Sequence, residues 1–124
     1  MFYLNQIMKK ITLLLTLLPF LIFANTSITT ILNQEIEISD EMSMTVQIKE
    51  SNGSIYIPEH THPSPGVVYL LKGQVEVDIE GIKTLYKAGD SWIEPQNKLH
   101  SGKSIGRIKY FVVYHHPKGR PYIN

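Results

Sequence analysis

The chain has 124 residues, with 12 Lys and Arg against 11 Asp and Glu and no cysteine. Without cysteine there is no disulfide framework, no thiolate metal site and no lipid-accepting thiol, and at this length there is one domain at most. No run of Lys or Arg offers the electrostatic footprint that nucleic acid or an anionic membrane requires, so neither is expected as a partner.

The first element is a targeting segment. Lys9 and Lys10 precede an apolar run from Ile11 to Phe23, and Ile22-Phe23-Ala24 has the small-residue form of a cleavage site. The run is short for a membrane span. We expect residues 1–24 to be a signal peptide cleaved after Ala24, with Met8 as an alternative start. The mature protein is then exported, periplasmic or secreted, with no stable membrane association after cleavage. Removing Lys9 and Lys10 leaves 10 basic residues against 11 acidic ones, a net charge of −1.

Residues 25–41 read as an N-terminal extension or edge strand, and 42–124 as the domain proper. Met42, Met44, Val46 and Ile48 alternate with Ser43, Thr45, Gln47 and Lys49, the period of a half-buried strand. Ser51-Asn52-Gly53 marks a turn. Val67 to Leu71 is an unbroken apolar run, and beyond Gly73 Val75, Val77 and Ile79 alternate with polar residues up to the Glu80-Gly81 turn. Strands over Ile82 to Tyr86 and Ser91 to Glu94 flank the Lys87-Ala88-Gly89-Asp90 turn. A loop at Pro95 to Lys98 leads into His100, and a last strand covers Ile108 to His115. Tyr69, Trp92, Tyr110, Phe111 and Tyr114 are expected to line the core or a pocket. No helical period of useful length occurs outside the signal, so the fold class is all-β, a small sandwich or barrel.

Chemistry concentrates in His60-Thr61-His62-Pro63-Ser64-Pro65-Gly66. Two histidines spaced i, i+2 on a strand face the same side and can chelate one metal ion. His100 stands where a neighbouring strand could deliver it beside them. Three neutral imidazoles suit Fe, Mn, Zn, Ni or Cu and leave positions open for water or an oxygen-bearing substrate. Glu94, two residues from Trp92, shares its face and is the candidate fourth ligand or acid–base catalytic group. Glu59, adjacent to His60, points the other way. His115 and His116 are adjacent as well, so one packs inside and the other meets solvent.

Set out in full, His60-x-His62, Gly73, then Gly89-x5-Pro95-x-Asn97-x2-His100 resembles the cupin superfamily over about Ser43 to Tyr114. Within it, the chain resembles a subgroup whose His-Pro, Glu-Pro and Lys-Gly-x-Pro elements are matched by His62-Pro63, Glu94-Pro95 and Lys118-Gly119-Arg120-Pro121. The resemblance implies a small antiparallel double-stranded β-helix, a jelly-roll barrel, holding one divalent metal through His60, His62, His100 and, as a candidate, Glu94. The family's glutamate falls at Gly66, which has no side chain, so the site is either more open than usual or completed by Glu94. Asn97 replaces a glycine, which asparagine's tolerance of the left-handed conformation permits. The function implied is a metal-dependent, dioxygenase-like enzyme acting on a small oxygen-rich molecule; the alternative is a non-catalytic binding module of the cell envelope. With apolar residues along Ile28 to Ile38 at a sheet edge, a homodimer is expected.

Overall fold

The computed structural model describes residues 26–124, so the expected signal segment lies outside the described residues. Seven strands follow in chain order: β1 (Ile28–Glu37), β2 (Met42–Ser51), β3 (Tyr56–His60), β4 (Gly66–Ile79), β5 (Ile82–Lys87), β6 (Ser91–Glu94) and β7 (His100–Pro117). Every strand pairing is antiparallel and no helix occurs among the described residues. The path runs β1-β2-β7-β4-β5, with β3 added on β7 and β6 on β4.

The two long strands make the roll. β7 pairs with β4 over most of its length, while on its other side its first half meets β3 and its second half β2. β4 likewise takes β6 along its first half and β5 along its second. Each long strand therefore serves both halves of the barrel and must bend between them. β4 bends at Gly73 (φ 85°) and β7 at Gly106 (φ 74°), and the β4–β7 register shifts between Leu70 and Gln74. At Gly73 a Cβ would stand 2.2 Å from the Arg107 carbonyl oxygen, so no side chain fits there. The sequence pattern breaks these strands at Gly73 and before Ile108; the ladder carries through both, because glycine lets a strand bend without ending.

Alternation then sorts the faces. Val68 and Leu70 are fully buried, whereas Val67, Tyr69 and Leu71 between and beside them face outward, Tyr69 at 43% exposure. Tyr69 is thus not part of core or pocket, and Phe111, opposite it in register, shares the outward face. The core is Val68, Leu70, Val75, Val77, Ile108, Val112 and Tyr114, with Trp92 and Tyr110 packed against both of its clusters.

On β2 the period is as expected, yet the polar side faces the barrel interior. Ser43, Thr45, Gln47 and Ser51 are buried, and three of them have side-chain partners: Thr45 Oγ1 lies 2.7 Å from His116 Nε2, Gln47 Nε2 donates to the Tyr122 hydroxyl, and Ser51 Oγ accepts from the Ile108 amide. These hydrogen bonds offset the cost of burying polar groups, although Gln47 Oε1 is buried without a partner.

Candidate metal centre

Four elements bring the site together. His60 ends β3 directly opposite His100, the first residue of β7. His62, two residues past β3, is held in a bridge to Gln96, where the Asn97 amide donates to the His62 carbonyl at 2.9 Å. Asn97 adopts φ 53°, the left-handed conformation expected of it. Glu94 closes β6 with its side chain turned inward, as the Trp92 spacing implies.

The three rings sit with centroids 4.3 to 4.8 Å apart. The Nδ1 atoms of His60, His62 and His100 lie 2.8, 2.7 and 2.9 Å from the backbone carbonyls of Pro58, Tyr122 and Lys98. A carbonyl oxygen only accepts, so each Nδ1 carries the proton. His62 Nε2 donates to Glu94 in the absence of a metal; once deprotonated, all three Nε2 atoms present lone pairs, and one ligand atom from each of His60, His62, His100 and Glu94 falls within 4.8 Å of the others. Such backbone partners fix ring orientation and tautomer in metal-binding histidines.

The electrostatics fit a cation. Glu94 Oε2 stands 2.9 Å from His62 Nε2 and 3.6 Å from His100 Nε2. The longer distance is not a hydrogen bond, so His100 Nε2 is buried without a partner. Burial alone would raise the Glu94 carboxyl, but the imidazoles of His100 and His62 beside it outweigh that and hold it down at about 2. His60 is lowered, chiefly by burial. At His100 burial acts downward too, and is outweighed by Glu94 and the Lys98 carbonyl, leaving it raised. Three imidazole nitrogens, one of them buried without a partner, and one ionised carboxylate fit a divalent transition metal.

Position 66 is not the gap that the sequence suggests. A Cβ on Gly66 would lie 3.0 and 3.1 Å from the Tyr114 ring, so Tyr114 fills that room rather than a ligand. Gly66 pairs with both Tyr114 on β7 and Glu94 on β6. The carboxylate thus comes from the neighbouring strand.

Sequence reasoning missed the C-terminal tail. Tyr122 supplies the carbonyl that holds His62, and its ring stacks on Tyr114 at 4.6 Å, which in turn packs against His62 at 4.7 Å. Asn124 ties the end of the chain to the Thr61 carbonyl and hydroxyl and to Asn97. A contribution made through a backbone carbonyl leaves no side-chain signature. The Lys118-Gly119-Arg120-Pro121 match was the sole hint of it. His115 is exposed, and His116 is buried on Thr45.

Beside the centre lies a cavity of about 280 Å³, with His60 and Glu94 in its wall together with Val68, Leu70, Tyr110 and Ile123. Glu59, exposed, stands at its edge and outside the ligand cluster.

The cupin domain family matches residues 48–114, more than half the chain. Among solved structures the chain is similar to a cupin superfamily protein from Desulfitobacterium hafniense at 19% identity (TM-score 0.57, covering 77% of this chain and 86% of that one). It is also similar to the cupin domain of Schizosaccharomyces pombe Cnp3 at 16% identity (TM-score 0.59, covering 77% and 69%). A conserved barrel domain protein from Leptotrichia buccalis gives 18% identity and a TM-score of 0.58, covering 73% of this chain and 42% of that one. A comparison with curated proteins finds no match. The chain belongs to the cupin family, and its fold is that family's jelly-roll barrel.

Proposed function

We propose that the protein is an exported cupin that holds one divalent metal through His60, His62, His100 and Glu94 and acts there on a small oxygen-rich molecule. The observation that carries this is one ligand atom from each of three histidines and Glu94 within 4.8 Å of one another, at the wall of a cavity. Four protein ligands leave one or two positions of a five- or six-coordinate ion open toward that cavity, where a bidentate oxygen compound or dioxygen could bind. The metal would supply Lewis acidity or redox chemistry. The chain's own residues hold the ligand set, keep the site apolar with Val68 and Leu70, and offer neutral phenols: burial, first of all, raises both Tyr110 and Tyr114, so each remains a hydroxyl donor.

That last observation favours a second reading, a non-catalytic binding module. With Glu94 engaged by the metal and both tyrosines protonated, the described cavity residues include no buried carboxylate or imidazole free to move a proton. Metal analysis of tag-free protein tests the shared premise: one equivalent in the wild type, and a sharp loss in His62→Ala. Oxygen uptake by the iron-loaded protein over β-diketones and catechols then separates the readings, turnover supporting the enzyme and tight binding without turnover the module.

The partner we propose beyond a small molecule is a second copy. Val46, Val113, Val67 and Ile93 lie side by side across four strands on the outer face, with Ile48, Phe111 and Tyr69 forming the next row. Val67 and Ile93 are at least half exposed. β1 adds a free backbone edge with Ile31 and Ile36 exposed, and a two-fold axis through such a face lets it cover itself.

A further inference from the structure

Lys49 is the cation in the cavity wall that the metal centre leaves unused. It lies on the inward side of β2, where the other buried positions, Ser43, Thr45, Gln47 and Ser51, are all neutral. It is half-buried and in the wall of the same cavity as His60 and Glu94. None of the ion pairs among the described residues includes it. Its register partner is Tyr110, whose neighbour across the next ladder is the fully buried Leu70. The apolar stem of Lys49 lies along the cavity wall while no described carboxylate pairs its ammonium, which leaves that charge available to an arriving anion.

We propose that the cavity is built for a small organic anion, with its carboxylate on Lys49 and Tyr110, its apolar body along Leu70, Val68 and Ile108, and an oxygen at its other end toward the four-residue centre. The proposal deepens, and rests on, the reading of that centre as a metal site. Three features set the class. The first is charge: with a divalent ion bound, Lys49 and the ion together exceed Glu94 and Glu59 by one positive charge, which a monoanion neutralises. The second is polarity along the barrel. Lys49 stands four residues along β2 from Thr45, which shares its ladder level with Tyr114, Gly66 and Glu94. That is about 13 Å at 3.3 Å per residue, and the wall between is Val68, Leu70 and Ile108. The third is size. A cavity of about 280 Å³ suits a short-chain acid.

The test uses metal-loaded full-domain protein and titrates 5-oxohexanoate against its amide, following binding by calorimetry. The carboxylate should bind at least tenfold tighter than the amide. Lys49→Met should erase that preference while leaving metal content at the wild-type level, and Lys49→Arg should keep most of it. Equal affinity for the two probes, a preference that survives Lys49→Met, or no binding of either at millimolar concentration would overturn the proposal. A protein that takes up no metal refutes the metal reading instead; the Lys49-dependent preference is then read on the metal-free protein.

Discussion

Glu94 and Gly66 face each other across the β4–β6 ladder, so the carboxylate of this centre stands one strand away from the position where the sequence motif places it. The exchange is concerted. Gly66 has no side chain because the Tyr114 ring occupies its space, and that ring is sandwiched between His62 and Tyr122.

Gly66→Ala therefore drives a methyl group into a ring that has nowhere to go. Overpacking of this kind costs about 1–3 kcal/mol, and because Tyr114 leans on His62 it should also weaken metal binding. Thermal denaturation with and without metal checks both effects; unchanged melting would show that Tyr114 can yield.

Glu94→Gln keeps the shape and removes the charge. The affinity for Zn²⁺ should fall on the order of 100-fold, at or above the loss typical of an outer-shell partner. Competition with a chromophoric chelator measures it.

Deleting residues 121–124 removes the carbonyl that fixes the His62 tautomer together with the Asn124 ties to Thr61 and Asn97. The truncated protein should bind metal about 10–100-fold more weakly and release it faster to chelator, whereas Asn124→Ala, which keeps the carbonyl, should lose much less.

Acid opposes metal at this site, because each Nε2 must give up its proton to bind. Glu94 raises His100, so the competition at that ring begins at a higher pH than for an ordinary histidine. Metal affinity should fall steadily from pH 7.5 to pH 5.5. In metal-free protein the sign concerns Glu94: its carboxyl is held at about 2 against an ordinary 4.5, so it stabilises the fold above pH 4.5 and that contribution fades as pH falls toward 2. Metal titrations and acid unfolding followed by circular dichroism measure the two.

Light scattering of a protein spanning residues 25–124 should give twice the monomer mass, and a charged residue at Val67, as in Val67→Glu, should return it to monomer. A monomeric wild type would remove the second copy as a partner.

The residues of the centre were legible because metal ligands must be particular side chains. His60, His62, His100 and Glu94 stand out in any reading, and the Trp92–Glu94 spacing gave the inward direction of the carboxylate. Period-two alternation located β2 and the second half of β4, and the Lys87–Asp90 turn located β6. What the pattern could not tell was which face of β2 turns inward, since the hydrogen-bond partners of buried Thr45 and Gln47 are His116, Asn33 and Tyr122, distant in sequence. Nor does a local pattern reveal that Gly73 bends a strand rather than ending it, because the reason is the Arg107 carbonyl on another strand. The Tyr122 carbonyl is the extreme case, a functional contact for which any residue type would serve.

The central claim is that four side chains share one ion. A crystal structure of the metal-loaded protein, with anomalous scattering recorded at the metal's absorption edge, tests it most directly. The expected result is a single peak within about 2.0–2.2 Å of the Nε2 atoms of His60, His62 and His100 and of a Glu94 carboxylate oxygen. A fully loaded crystal with no peak between these residues, or with its peak elsewhere, would contradict it.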